Sequence, residues 1–167
     1  MKEIVIAQDN RLTTSRYELT LIEKRIFYYI IKEVRSKYNT GQRDLFDDLI
    51  LNIRVSDLCK EVNQEDNNKE TRKALEKFRS RSFTYANEKD DDWLTCGFIN
   101  YAHIKKGIAE IQVSHKLMPF LVELSSQYTA YSLHVAMSLK SKWSQRMYEL
   151  CQKWQGTEGF RISVDDL

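Results

Sequence analysis

Residues 67–114 open with the sequence Asn67-Asn-Lys-Glu-Thr-Arg-Lys-Ala-Leu-Glu-Lys-Phe-Arg79. Asn67 with Glu70 three residues later is typical of a helix start, because each side chain can accept a hydrogen bond from a free backbone N–H group of the first turn. Helical spacing then predicts one narrow buried face. That face consists of Thr71, Ala74, Leu75, Phe78 and Ser82. Such a helix buries a small apolar stripe and turns its other side outward.

The outward side of this helix is basic, since residues 68–81 contain six basic and two acidic side chains. Clustered Lys and Arg side chains neutralise phosphates, so we predict that this face binds DNA. The candidate contacts on and after the helix are Lys69, Arg72, Lys73, Lys77, Arg79 and Arg81. A solvated helix with a chance surplus of positive charge is the alternative, because charged faces are common on surface helices.

A β-hairpin is predicted after this helix. Residues 93–104 are rich in aromatic and apolar side chains, with a bulge expected at Gly97, and residues 109–113 alternate between apolar and polar. The tip between these strands is basic too, and it makes Lys105 and Lys106 candidate contacts to phosphates or a minor groove. A helix followed by two strands with a charged tip is the core of a winged-helix DNA-binding unit.

The elements before the basic helix fit the same topology. Thr20-Leu-Ile-Glu23 is a capping box, and the helix after it, to about residue 37, is apolar over more than half of its circumference, which predicts a central position. A strand over residues 49–55 and a short helix over residues 56–62 follow.

The two ends of the chain complete the predicted fold. Residues 1–16 are expected to form an extended arm. Further helices are expected over residues 118–124, 130–139 and 142–155. The predicted class is therefore α+β: a winged helix, that is, a helix-turn-helix with a β-hairpin wing, plus additional C-terminal helices.

The predicted strand over residues 93–104 is apolar on both faces. One face can pack on the helices, and the other needs a cover that a second copy of the chain can supply. The candidate dimer interface consists of Trp93, Leu94, Cys96, Phe98, Ile99 and Tyr101. The alternative is that the C-terminal helices cover this face.

Composition places the chain among globular proteins, with 167 residues of which 42% are hydrophobic. The net charge is only +2, so the DNA interpretation depends on how the charges are distributed. Three unpaired cysteines, Cys59, Cys96 and Cys151, indicate reduced thiols in a cytoplasmic protein. The sequence contains neither an apolar run of about 18 residues nor a signal peptide, so no membrane partner is expected.

Enzymatic chemistry is not predicted. His103, His115 and His134 are far apart and lack the spacing of a metal site, and there is no Gly-x-x-x-x-Gly-Lys-Ser/Thr loop to hold a nucleotide. We therefore expect no metal, no cofactor and no catalytic residue.

The end of the chain contains an internal repeat. Phe160-Arg-Ile-Ser-Val-Asp-Asp-Leu167 matches Leu51-Asn-Ile-Arg-Val-Ser-Asp-Leu58 in four positions, and a helix of similar character precedes each copy. We therefore expect a first winged-helix domain over residues 1–139 and the start of a second, truncated winged-helix unit over residues 140–167. Chance similarity over eight residues is the alternative.

The sequence Leu139-Lys-Ser-Lys-Trp-Ser-Gln-Arg-Met-Tyr-Glu-Leu-Cys151 resembles the signature helix of the iteron-binding plasmid replication initiator proteins. Asn10-Arg-Leu-Thr13, Glu18-Leu-Thr-Leu-Ile-Glu-Lys-Arg25 and Arg79-Ser-Arg-Ser82 resemble the same family. The resemblance implies two winged-helix domains in tandem, of which the first touches the DNA backbone and contributes dimer contacts, while the second reads most of the base edges.

The resemblance also implies partners. These are double-stranded DNA at the direct repeats of a plasmid origin, a second copy of the chain in an autorepressor dimer, and host replication proteins, all in the bacterial cytoplasm. Two other functions stay open: a self-contained winged-helix transcriptional regulator, and a dimerisation module whose DNA binding is marginal.

Overall fold

A computed structural model describes residues 3–15, 17–39, 49–61, 68–122, 124 and 127–163. The helices are α1 (Asn10–Thr14), α2 (Leu21–Asn39), α3 (Val55–Glu61), α4 (Asn68–Arg79), α5 (Met118–Leu121), α6 (Leu133–Ser138) and α7 (Lys142–Lys153). The strands are β1 (Val5–Asp9), β2 (Ile50–Arg54), β3 (Ser82–Asn87), β4 (Asp92–Gly97), β5 (Ile99–Lys105), β6 (Ile108–Val113) and β7 (Tyr128–Ser132). A 3-10 turn, His115–Leu117, precedes α5. The predicted α+β class is confirmed.

The strands form three antiparallel sheets in the described part of the chain: β2–β6–β5, β3–β4 and β1–β7. The elements α2, β2, α3, α4, β5 and β6 follow the predicted winged-helix order. The wing turns over two residues, Lys106 and Gly107, both with positive φ, which is the backbone of a tight hairpin turn. Its tip is fixed to the body, because the carbonyl of Gly107 accepts a hydrogen bond from the N–H of Val55 at 2.9 Å.

The core is built around α2 and a cluster of aromatic rings. Phe98, which has no solvent exposure, lies at the centre of that cluster. Its ring centroid is 4.9 Å from that of Phe27, 5.3 Å from Phe78, 5.6 Å from Tyr17 and 5.8 Å from Phe83. These rings join α2, α4, β3 and the bend between β4 and β5 in one packed unit.

The prediction of one strand over residues 93–104 is wrong. The chain bends at Phe98, so β4 pairs with β3, and β5 pairs with β6 in a different sheet. The sequence prediction also missed β3, and it placed Ser82 on the helix although Ser82 begins that strand.

The extended N-terminal arm is also a wrong prediction. Residues 5–14 form β1 and α1, and β1 pairs with β7, whose residues were expected to begin a helix. The polar side chains of β1 and α1 are buried and bonded: Gln8 donates to Thr13 Oγ1 at 3.0 Å, and Tyr131 donates to Gln8 at 3.0 Å. Partners from distant elements therefore replace water for this segment.

A buried polar cluster attaches α7 to the rest of the fold. Lys24 Nζ donates to Glu149 Oε2 at 2.8 Å, and the hydroxyl of Tyr28 donates to Glu149 Oε1 at 2.8 Å. Arg146 donates to the backbone carbonyl of Thr13. Burial acts to lower the pKa of Lys24, but the Glu149 carboxylate outweighs it and the net pKa is raised. Burial and the same carboxylate raise the pKa of Tyr28 well above its usual range.

Two predictions fall outside the described residues. These are the Asn67 cap of α4 and the last four residues of the repeat. The domain boundary at residue 140 stays a prediction. In the described ranges, no helix has the length and apolar character needed to cross a membrane.

Candidate nucleic-acid interface

Helix α4 buries one side and turns its cations outward. Thr71, Ala74, Leu75 and Phe78 are buried, as predicted. The exposed side carries Lys69, Arg72, Lys73, Lys77 and Arg79. Leu75 and Phe78 pack into the aromatic core, so the helix is held rigidly while its charged side faces water.

Among the described residues, carboxylates do little to neutralise Arg72, Lys73 and Lys77. Lys73 lies 3.4 Å from Glu70, but both side chains are about half exposed, so the pair is weak. In the described part of the chain, Arg72 and Lys77 form no ion pair. Their charge is therefore available to an anion from outside.

An open groove of about 390 Å³ separates α4 from the wing strand β5. It is lined by Arg72, Leu75, Glu76, Arg79, Tyr101, Ala102 and Ile104. The lining thus combines two arginines with mainly apolar and aromatic side chains, and Glu76 is its one acidic member. Arg79 Nε also donates to the carbonyl of Asn100 at 3.3 Å, which ties the end of α4 to β5.

The groove connects α4 to the basic wing tip. Strand β5 runs from Asn100 and Ile104, beside the groove, to Lys105 and the turn at Lys106, where both lysines are exposed. Strand β5 thus contributes to the groove beside α4 and also ends at the basic wing tip.

Arg81 differs from the other predicted contacts. Its Nε lies 3.1 Å from Oε2 of Glu23, and its side chain is partly buried. Its charge is matched by a carboxylate of α2, which the charge count along residues 68–81 does not reveal.

The predicted dimer residues lie in different environments. Trp93 is 67% exposed, whereas Leu94 and Cys96 are partly buried against the core. Tyr101 donates to Glu110 at 2.9 Å within the wing. Phe98 and Ile99 are buried inside the chain, so in this fold neither offers surface to a second copy.

Sequence reasoning missed Glu23, Asn100 and Glu76 as parts of this region. The capping box identified Glu23 as a helix-start residue, and it does exchange hydrogen bonds with Thr20 at 2.8 and 3.3 Å, but its second partner is 58 residues away. The described residues contain no group of three or more His, Cys, Asp or Glu side chains arranged to hold a metal ion.

The sequence is similar to known proteins over most of its length. A family model described as Initiator Replication protein, WH1, matches residues 5–152. An uncharacterized 27.6 kDa protein of Escherichia coli is 27% identical over 157 residues, which cover 89% of this chain and 66% of that protein. A replication initiation protein of Escherichia coli is 23% identical over 173 residues, covering 99% of this chain and 54% of that protein. The chain thus spans just under two thirds of one curated relative and about half of the other.

A solved structure shares the fold. The crystal structure of Pi initiator protein in complex with iteron DNA matches with a TM-score of 0.67 and 17% sequence identity, covering 99% of this chain and 71% of that chain. This likeness agrees with the winged-helix arrangement of α2–β6, so the predicted architecture is confirmed.

Proposed function

The chain belongs to the initiator replication protein WH1 family, and from that premise we propose that it is the N-terminal part of a plasmid replication initiator that binds double-stranded origin DNA. The observation that carries the proposal is the surface formed by α4 and the wing, where Arg72 and Lys77 make no ion pair among the described residues. The Pi initiator was solved with iteron DNA, which supports origin direct repeats as the target.

Phosphate neutralisation is the proposed mechanism. Lys69, Arg72, Lys73 and Lys77 face the backbone from α4, Arg79 lies at the helix end, and the wing tip reaches a phosphate or a minor groove. Contacts of this kind position a protein without selecting a sequence. With roughly four phosphate contacts, the logarithm of affinity falls against the logarithm of salt with a slope of about −3 to −4. Binding by residues 1–167 is therefore expected to be weak, salt-sensitive and mostly non-specific.

Reversing two helix charges tests this mechanism. The double variant Arg72→Glu/Lys73→Glu should lose at least about tenfold in affinity at low salt, and its salt slope should shrink by about two, because two phosphate contacts become repulsive. Gel shifts across salt concentrations, with repeat and scrambled duplexes, provide the measurement.

The matched control reverses two exposed lysines that belong neither to α4 nor to the wing, Lys89→Glu/Lys116→Glu, with the same change in net charge. This control should change DNA affinity far less than the α4 variant, and its salt slope should equal that of the wild type. Equal losses in both double variants would mean that only net charge matters, and unchanged binding by the α4 variant would exclude this face.

Dimerisation is a second proposed function, favoured by the exposed indole of Trp93. This residue lies on β4, in a two-stranded sheet whose outer edges pair with no other strand in the described residues. Such an edge can pair with a second copy, and an exposed Trp is a typical interface anchor. In this proposal the dimer acts as the autorepressor that the family resemblance implies.

Replacing Trp93 by alanine should weaken the dimer at least about tenfold, since Trp anchors commonly dominate interface energy. Sedimentation across a concentration series, starting from the 19.8 kDa monomer mass, measures it. Trp143→Ala is the control, because Trp143 is similarly exposed but lies on α7. A mass that does not change with concentration in the wild type, or an equal effect of both variants, would refute the interface.

The second winged-helix unit from about residue 140 is likewise proposed. Helix α7 buries Glu149 and Leu150 against the first unit, yet its other side exposes a stripe of Trp143, Met147 and Cys151. When the helices that precede the two copies are aligned, Glu23-Lys-Arg-Ile-Phe-Tyr28 with Ser144-Gln-Arg-Met-Tyr-Glu149, Met147 and Cys151 correspond to two fully buried residues of α2, Ile26 and Ile30. The stripe therefore has the composition expected of a core face for a second unit.

A further inference from the structure

The pair formed by Arg81 and Glu23 joins the segment after α4 to the central helix α2. Glu23 lies in the first turn of α2, is 1% exposed, and receives the Nε of Arg81 at 3.1 Å. The same oxygen accepts the backbone N–H of Thr20 at 2.8 Å, while the other carboxylate oxygen is buried without a hydrogen bond. A buried carboxylate without a cation destabilises the fold. The ion pair with Glu23 therefore fixes the position of the Arg81 side chain.

The pair acts at the end of α4. This end is fixed at three points: the ring of Phe78 stacks on Phe98 at 5.3 Å, Arg79 bonds to the backbone of β5, and Arg81 bonds to α2. The first two contacts hold α4 to the core and the wing. The third holds the residues between α4 and β3 to the central helix, and it is the one that depends on charge.

We propose that Arg81 and Glu23 are positioning residues that orient α4 for DNA, and that Arg81 is not a phosphate contact. This inference depends on the proposed function of α4. The sequence pattern predicts the same role, DNA contact, for Arg81, Arg72 and Lys73. The inference gives Arg81 a different role from the other two.

Glu23→Gln gives a test in which simple electrostatics and positioning predict opposite changes in DNA affinity. Glutamine preserves the capping box but removes the charge that holds Arg81. Electrostatics alone predicts tighter DNA binding, because a negative charge is lost, and a released Arg81 would steepen the salt slope by about one. Positioning predicts a Kd raised about three- to tenfold with an unchanged slope.

Glu18→Gln is the matched control, because Glu18 is exposed, lies near the start of α2 and loses the same charge. It should bind as well as the wild type or slightly better. Arg81→Gln should raise the Kd as much as Glu23→Gln, and the double variant should be no worse than either single variant, because both act through one contact. Circular dichroism should first establish a temperature at which every variant is folded.

Affinity of Glu23→Gln equal to or better than that of Glu18→Gln would overturn the inference. It would also fail if Arg81→Gln reduced the salt slope by about one while Glu23→Gln left affinity intact, since Arg81 would then contact phosphate directly. The proposed function fails separately, if Arg72→Glu/Lys73→Glu binds like the wild type. If Arg72→Glu/Lys73→Glu loses DNA binding but Glu23→Gln does not, the proposed function stands and only the positioning role of Arg81 and Glu23 is refuted.

Discussion

Glu149→Ala is expected to lower the free energy of unfolding by about 3–5 kcal/mol, the usual cost of removing one partner from a buried ion pair. Glu149 has no solvent exposure and accepts hydrogen bonds from Lys24 and Tyr28, both at 2.8 Å. Alanine leaves the ammonium of Lys24 buried with its carboxylate gone, and the Tyr28 hydroxyl loses its acceptor. Urea denaturation followed by circular dichroism measures the difference.

A double-mutant cycle distinguishes the ion pair from general damage to α7. Lys24→Met and Glu149→Met alone should each destabilise, whereas Lys24→Met/Glu149→Met should cost much less than the sum of the two, because neither partner is left without the other. Glu158→Ala, at an exposed position after α7, should change stability by less than about 0.5 kcal/mol. If the losses in free energy of unfolding were additive, Lys24 and Glu149 would not stabilise the fold through their ion pair.

Phe98→Ala is expected to cost about 3–5 kcal/mol, because it leaves a cavity at the centre of the aromatic cluster. Four rings lie within 5.8 Å of this ring, and one of them, Phe78, belongs to α4. DNA affinity should fall together with stability, since the helix loses its main support. The same denaturation experiment measures the change.

Trp93→Ala serves as the comparison, because it removes a larger aromatic side chain from a neighbouring strand at a position that is 67% exposed. At protein concentrations where the chain is monomeric it should change stability by less than about 1 kcal/mol. Similar losses at both positions would show that Phe98 is not the centre of the core.

Local sequence signals were sufficient for the buried face of α4 and for the second strand of the wing. The buried face of α4 follows from helical spacing between Thr71 and Phe78, and the second wing strand follows from alternation in residues 109–113. Both patterns are complete within one element, so no information from elsewhere in the chain is needed.

Long-range partners explain the failures. Gln8, Asp9 and Thr13 have the polar side chains expected of an extended arm, yet they are buried in β1 and α1, and the strand that pairs with β1 lies some 120 positions later. The continuous apolar run at residues 93–104 hides the bend at Phe98, because its two halves pair with different strands. A charge count likewise could not separate Arg81 from its neighbours, since Glu23 is remote in sequence.

The pairing of β1 with β7 has a consequence for synthesis of the chain. Tyr131 and Gln8 are hydrogen-bonded although 123 positions separate them, so the first strand leaves the ribosome long before its partner has been translated. Contacts of such high sequence separation form late, and the exposed strand edge is vulnerable to intermolecular pairing until then. The nascent polypeptide therefore completes its fold only when residues 128–132 have emerged, and a chain that stalls earlier carries an unpaired β1 into the cell.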